Sequence, residues 1–84
     1  MIYVDDLKFY PEVPNGSSYW CHMWGTSLEE LHKFAENIGC KKEWFQNHKF
    51  LEHYDLTSFM RKKAIKAGAE PVNLKKWIES KKKI

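Results

Sequence analysis

The side chains best suited to chemistry are concentrated in one stretch of the chain, residues 44–61. This stretch gathers imidazole, phenol, carboxylate, amide and guanidinium groups around a predicted loop and a predicted helix start. Titratable and aromatic side chains that are grouped on a loop mark a functional site more often than a requirement of the fold. The candidates that this stretch supplies are Gln46, His48, His53, Tyr54, Asp55 and Arg61.

Three of these candidates are consecutive and belong to the residue types that general acid–base catalysis uses. His53 titrates near neutral pH, Tyr54 can donate a strong hydrogen bond, and Asp55 can orient an imidazole. We therefore predict catalytic roles for all three, with His53 as acid or base. The structural alternative is that Tyr54 lies in the core and that Asp55 caps a helix, and both of these roles can coexist with function.

A second candidate group lies nearer the start of the chain. Asp5 and Asp6 follow a short β-favouring run, and at a strand end two carboxylates could bind a cation or orient a histidine. The alternative is that this pair only ends the strand. His22 lies within a predicted strand, where a lone histidine is more often a satisfied core residue. Its predicted neighbours on the same face, Trp20 and Trp24, could wall an apolar pocket with one polar tip, so we also predict a catalytic role for His22.

Arg61 lies about one helical turn after Thr57, near which we predict that a helix begins. The free N–H groups of that helix start and the guanidinium could together bind an anion such as phosphate or carboxylate. The alternative is an ion pair between Arg61 and either Asp55 or Asp6. The predicted ligand-binding residues are Asp5, Asp6, Gln46, His48 and Arg61.

Hydrophobic spacing and breaker residues predict the elements that position these groups. The expected strands are 2–4, 19–24 and 69–72, with a strand or extended segment at 41–45 and a loop at 8–18. The expected helices run from a capping box at Thr26 or Ser27 to Gly39, from Asp55 or Thr57 to Gly68, and onward from an Asn73 cap. This order predicts an α/β fold with one domain over residues 1–84, a sheet of three to four short strands covered by two to three helices.

Size, sequence motifs and cysteine content limit the class of protein. No apolar stretch approaches the ~20 residues that cross a bilayer, and the acidic N-terminus has no signal-peptide form, so we expect a cytoplasmic protein without a membrane partner. Cys21 and Cys40 form no CxxC pair and no zinc-ribbon spacing, and we expect both to be unbonded. P-loop, GxGxxG, GxSxG and HExxH motifs are absent.

The charge of the chain is distributed unevenly. Residues 1–60 carry five Lys or Arg and nine Asp or Glu, a net charge of −4, whereas residues 61–84 carry nine and two, a net charge of +7. The plain interpretation of the basic end is a solvated helix face with a short lysine tail. The alternative is a patch that binds phosphate or nucleic acid.

Several sequence blocks, taken together and in order, resemble a family catalogued as domain of unknown function 4031. The blocks are YVDD at 3–6, CHM at 21–23, EELHKFAENIG at 29–39, WFQNH at 44–48, HYDLT at 53–57, Arg61 and AIKAGAEPV at 64–72. The resemblance covers nearly the whole chain and implies a small bacterial or phage-encoded protein without an established activity. The polar positions that recur in the family fall on Asp5, Asp6, His22, Gln46, His48, His53, Tyr54, Asp55 and Arg61. The loop 7–18 and the lysine-rich end 75–83 depart from its pattern.

Two functional hypotheses follow. The first is a site for a small molecule, such as a nucleotide or another phosphorylated ligand, with hydrolytic or acid–base chemistry and a divalent cation that Asp5 or Asp55 could hold. The second is a non-catalytic protein that binds a host protein or nucleic acid through exposed tryptophans (Trp20, Trp24 or Trp77) and the basic end. A structural interpretation is that the histidines and acids form a buried polar network. We favour the first, and we expect that so short a chain could complete its core as a homo-oligomer.

Overall fold

Six short strands and three α-helices make up the part of the chain that the computed structural model describes, which is residues 1–10, 19–49 and 51–82. In order they are β1 (Ile2–Val4), β2 (Lys8–Phe9), β3 (Tyr19–Gly25), α1 (Leu28–Ile38), a 3₁₀ turn (Lys42–Trp44), β4 (Phe45–Gln46), β5 (His53–Thr57), α2 (Ser58–Lys66), β6 (Glu70–Pro71) and α3 (Leu74–Lys82). The predicted α/β class is confirmed. Within the described ranges, no helix has the length and apolar character to span a membrane.

One mixed sheet arranges these elements around β3. Its strand order is β4-β5-β3-β1-β6. Strand β1 pairs with the C-terminal half of β3, and β2 pairs with the N-terminal half. Only the β1–β6 pair is parallel among the described ladders. His22 lies opposite Asp55 in the β3–β5 ladder, and Gln46 lies opposite His53 in the β4–β5 ladder. Because residues directly opposite each other share a face of the sheet, the two ladders place these four polar side chains on one face.

The other face of the sheet carries the hydrophobic core. Val4, Met23 and Leu56 come from three neighbouring strands and are fully buried there against α1 and α2. Helix α1 contributes Leu31, Ala35 and Ile38, and α2 contributes Met60 and Ala64. Leu28 lies in the first turn of α1 and is exposed, so the buried stripe of this helix begins at Leu31.

Both ends of α1 follow from local sequence chemistry. The Ser27 hydroxyl accepts the Glu30 backbone N–H at 3.1 Å, so the second of the two predicted capping boxes supplies the helix cap. Gly39 ends the helix with φ 90°, a left-handed conformation that costs glycine little and other residues more. These two residues fix where α1 begins and ends above the core.

Helix α3 covers the polar face of the sheet around Tyr3 and Trp24. The ring of Trp77 lies 5.4 Å from that of Trp24 and 5.6 Å from that of Tyr3, measured between centroids. Trp24 has no exposed surface as a result. The Asn73 side chain accepts the Lys76 backbone N–H at 3.0 Å, which confirms the predicted cap of this helix. The part of the face around His22 and His53 lies outside this cover, and the candidate site is found there.

Three predicted elements are wrong in detail. Residues 53–57 form a strand rather than the approach to a helix, and only Thr57 caps α2. Residues 8–9 pair with β3 instead of lying in a loop, while 11–18 fall outside the described residues. Residues 42–44 form a 3₁₀ turn before β4. The six described strands exceed the predicted three to four because the sequence pattern predicts neither β2, which has two residues and pairs with β3, nor β5.

The packing of Trp24 generates a stability prediction. We expect Trp24→Ala to lower the free energy of unfolding by about 3–5 kcal/mol, because it empties a fully buried site between the sheet and α3. The matched control is Phe59→Ala, whose side chain is 71% exposed on α2 and which should change stability by about 0.5 kcal/mol or less. Urea denaturation of the two variants beside the parent checks this, and equal losses would contradict the assigned packing.

Candidate functional site

The candidate site is assembled by the register of three neighbouring strands. Successive side chains of strand β5 point to opposite faces of the sheet. His53 and Asp55 therefore lie on the polar face, which is the open face of the sheet, while Tyr54 and Leu56 point to the core. Strand β3 adds His22 opposite Asp55, and β4 adds Gln46 opposite His53. The sequence HYDLT thus supplies site and core residues in alternation, which its placement on a strand explains.

A buried carboxylate holds His22 in a fixed orientation. One oxygen of Asp5 accepts the His22 backbone N–H at 2.6 Å, and the other lies 2.8 Å from the ring Nδ1. Asp5 is only 3% exposed. Because an ionised carboxylate can only accept hydrogen bonds, His22 Nδ1 carries the proton that it donates to Asp5. The lone pair of a neutral His22 is then on Nε2.

A backbone carbonyl does the same for His53. Its Nδ1 lies 2.8 Å from the Leu51 carbonyl oxygen, which can only accept, so this nitrogen also carries a proton. Its Nε2 lies 3.3 Å from Asp55 Oδ1. The rings of His22 and His53 meet edge to face, with centroids 4.7 Å apart. Both imidazoles are therefore oriented by a partner on Nδ1 and leave Nε2 for other interactions.

A pocket of about 690 Å³ opens beside these side chains. Its polar lining comes from His22, Gln46, His48, His53 and Asp55. Its aromatic and aliphatic lining comes from Tyr10, Trp20, Leu51, Leu74 and Ile78, together with Cys21. A largely apolar cavity with a few convergent polar groups is the usual composition of a small-molecule site.

Local electrostatics separate the reactive side chains from the inert ones. The hydrogen bond with Asp55 raises the pKa of His53 above its ordinary value of 6.5, although burial of the ring acts in the opposite direction. Burial, reinforced by the Asp5 charge, raises the pKa of Cys21 to about 12, and burial raises that of Cys40 to about 11. Both thiols are therefore protonated at neutral pH and unsuited to act as nucleophiles.

Four of the residues predicted from the sequence do not line the pocket, and one of them is Asp5, which lies behind His22. Tyr54 is 3% exposed on the opposite face, where its hydroxyl lies 2.7 Å from His32 Nδ1 and burial raises its pKa. The Asp6 side chain is 77% exposed, 4.0 Å from the Arg61 guanidinium. Arg61 Nε donates to the Asp5 carbonyl oxygen at 2.8 Å. Arg61 thus braces the segment that holds Asp5, and it does not line the pocket.

The anion site expected at the start of α2 is not assembled for a similar reason. The Thr57 hydroxyl accepts the Met60 N–H at 3.3 Å, and Arg61 is committed to residues 5 and 6. The candidate site also lies on the face of the sheet rather than at the ends of its strands. The reason is that β5 pairs with β3 alongside His22 and carries His53 and Asp55 on the same face. The predicted candidates that do meet are His22, Gln46, His48, His53 and Asp55, with Asp5 directly behind His22.

Sequence reasoning missed part of the pocket wall. Leu74 and Ile78 lie four residues apart on α3, a spacing that places both on one side of a helix, and this signal was available. Tyr10 had no such signal, because its position depends on the pairing of β2 with β3. His32, the partner of Tyr54, was also missed, because no local pattern relates α1 to a residue in β5.

Comparison with known proteins identifies the family but no function. Residues 2–83 match the family described as protein of unknown function (DUF4031), and the chain belongs to that family. Among curated proteins and among solved structures, nothing matches this chain. The family assignment confirms the resemblance that the sequence blocks carry.

The contact between His53 and Asp55 predicts a pH dependence. In the chelator-treated protein, we expect the NMR-measured pKa of His53 to lie above 6.5 and to fall in Asp55→Asn, which removes the neighbouring charge. A folded-state pKa raised above the unfolded value adds stability that is complete below pH 6.5 and is lost as pH rises through the folded pKa. The stability gap between parent and Asp55→Asn should therefore be widest just below pH 6.5 and narrow as pH rises through the folded pKa of His53. Asp6→Asn, an exposed carboxylate change, should leave the His53 titration unaltered.

The raised thiol pKa values predict slow alkylation. At pH 8 the thiolate-to-thiol ratio of Cys21 should be about a thousandfold lower than for a thiol at the ordinary value of 9.0, and that of Cys40 about a hundredfold lower. Mass spectrometry of iodoacetamide-treated protein should show little modification of either residue in buffer and rapid modification of both in urea. Modification of Cys21 in the folded protein at the rate of a free thiol would count against its burial.

Proposed function

We propose that this protein binds a small molecule of the nucleotide class in the pocket on the open face of the sheet, with His22 and His53 acting on the polar end of that ligand. The observation that carries the proposal is the pair of imidazoles whose Nδ1 protons are each held by an acceptor, Asp5 and the Leu51 carbonyl. Such pairing orients a ring and directs Nε2 outward, as acid–base and hydrolytic sites require.

The composition of the pocket supports a ligand with a planar ring at one end and a polar group at the other. Trp20 and Tyr10 supply aromatic surface, and stacking of a base on such a ring contributes about 1–3 kcal/mol. Leu74 and Ile78 extend this apolar wall from α3. His22, His53 and Asp55 form the polar end. A volume of about 690 Å³ lies within the range of ordinary ligand pockets.

We also propose that the protein acts in a cytoplasm, that of a bacterium or of the host of a phage. Cys21 and Cys40 are both free thiols, the state that a reducing compartment maintains.

A second candidate function is binding of a partner protein. Phe9 and Tyr19 form a ring pair with centroids 5.3 Å apart, and both rings are more than half exposed. Exposed aromatic pairs can anchor an interface. The anchor proposed from sequence at Trp24 is wrong, because that side chain is fully buried, and Trp20 and Trp77 are half-buried. We rank this candidate below the pocket because it lacks the oriented polar groups that the pocket has.

A thermal-shift screen tests the ligand proposal. The probes are nucleosides, nucleoside mono-, di- and triphosphates, and their sugar phosphates, each with a chelator and with added divalent metal. A ligand at a hundred times its dissociation constant should stabilise the protein by about 2.7 kcal/mol. Trp20→Ala and His53→Gln should lose the shift, whereas His32→Gln, a matched change on the opposite face, should keep it.

Two results would overturn the proposal. One is the absence of any shift across the panel under both conditions. The other is a shift that Trp20→Ala and His53→Gln retain in full, which would locate the ligand outside this pocket. Retention of fold in the variants is checked by near-ultraviolet circular dichroism of the unliganded proteins.

A further inference from the structure

The polar end of the pocket contains three side chains with the chemistry of metal ligands. His22, His53 and Asp55 each offer one ligand atom, and these atoms all lie within 4.8 Å of one another. Imidazole nitrogen and carboxylate oxygen are donors that Zn²⁺, Fe²⁺ and Co²⁺ accept, at bond lengths of about 2.0–2.2 Å. Donors around such an ion are separated by roughly 3–3.5 Å. The His53–Asp55 pair already lies in this range at 3.3 Å.

The hydrogen bonds behind the two histidines are those that metal ligation needs. A histidine that binds a metal usually donates its other ring N–H to a carboxylate or a backbone carbonyl, which fixes the tautomer and the ring orientation. Asp5 fills that role for His22, and the Leu51 carbonyl fills it for His53, both at 2.8 Å. Asp5 is buried and also accepts the backbone N–H of His22, so the ring is held from two directions.

The contact between His53 and Asp55 is one that a proton or a metal ion can satisfy. His53 Nδ1 donates its proton to the Leu51 carbonyl, so Nε2 of the neutral ring presents a lone pair to an Asp55 oxygen that also presents one. Two acceptors at 3.3 Å are satisfied by a proton or by a metal ion. The rings of His22 and His53 meet edge to face, with centroids 4.7 Å apart. A proton shared between His53 and Asp55 does not need a second imidazole nearby, whereas a metal ion would use it as a further ligand.

We propose that His22, His53 and Asp55 bind a divalent first-row transition-metal ion, of which Zn²⁺ is the representative, with its remaining coordination positions open to the pocket. This inference deepens the proposed function and rests on it for its ligand: the ion binds the anionic group of the nucleotide. With the ion bound, His22 and His53 act on the ligand through the metal rather than as free acid–base groups. Asp55 alone would repel a phosphate, and Arg61 is turned away toward Asp5 and Asp6. A metal ion at this point supplies a divalent positive charge at the pocket, whose described lining contains no Lys or Arg.

Asp5 enters the proposal as a positioning residue rather than a ligand. It contacts the far side of the His22 ring, and loss of such a partner weakens metal binding by about 10–100-fold in comparable sites. Asp5→Asn preserves the shape of the side chain and tests this role. His22→Gln, His53→Gln and Asp55→Asn test the three ligands.

The experiment is a titration of the chelator-stripped protein with ZnCl₂ by calorimetry and with CoCl₂ by visible absorption. We expect one Zn²⁺ per chain, visible d–d bands with Co²⁺, and displacement of Co²⁺ by Zn²⁺. Each of the three ligand variants should lose the Co²⁺ bands, and Asp5→Asn should keep them with an affinity lowered about 10–100-fold. Asp6→Asn and His32→Gln, which alter an exposed carboxylate and a histidine on the other face, should bind like the parent.

The outcomes separate this inference from the proposed function. Absence of saturable Zn²⁺ and Co²⁺ binding by the parent protein overturns the metal site, whether or not a variant folds. Unchanged binding in His22→Gln and His53→Gln does the same, since the ion would then lie elsewhere. If nucleotides stabilise the chelator-stripped protein and metal does not bind, the ligand proposal stands and this one fails. If metal binds and no nucleotide does, the metal site stands and the ligand class fails.

Discussion

The antiparallel pairing of β3 with β5 is the constraint on which the rest of the structure depends. Its register sets His22 opposite Asp55 and Cys21 opposite Leu56, so that polar residues meet on one face and apolar residues on the other. A slip of one residue would reverse the two faces of β5, expose Leu56 and bury Asp55. Core and site are thus two results of one register. Burial of Leu56 and Met23 stabilises the arrangement that also brings the candidate site together.

The buried Asp5 carboxylate is the second interaction that links fold and site. It lies where the chain leaves β1, and it ties that point to β3 through the backbone and the ring of His22. Arg61, from α2, donates to the Asp5 backbone carbonyl and so connects the helical layer to the same point. An ionised group at this depth is costly unless it is fully hydrogen-bonded. The contacts that satisfy Asp5 are also those that orient His22.

Helix α3 divides the open face of the sheet between structure and site. Its Trp77 covers Tyr3 and Trp24, and this aromatic cluster completes the packing of β1 and β3. Its Leu74 and Ile78 face the pocket instead. One short helix therefore seals part of the sheet and forms a wall beside the rest. A pocket of this kind needs few residues, which suits a chain of 84.

The sequence by itself determined several local features: the Asn73 cap, the glycine that ends α1, and the residue types of the site. It narrowed the other two caps to Thr26 or Ser27 and to Asp55 or Thr57, of which the structure uses Ser27 and Thr57. These depend on neighbours within a few positions along the chain, so local chemistry decides them. It did not determine that 53–57 is a strand, that Tyr54 leaves the site, or that Arg61 braces Asp5. Those outcomes depend on the pairing of β5 with β3 and β4, and on the contact between Arg61 and Asp5, which are 56 positions apart in the chain. Only the tertiary structure could decide them. The same His, Tyr and Asp side chains would share one site if 53–55 were a loop, but pairing with β3 and β4 makes the segment a strand and sends Tyr54 to the opposite face from His53 and Asp55.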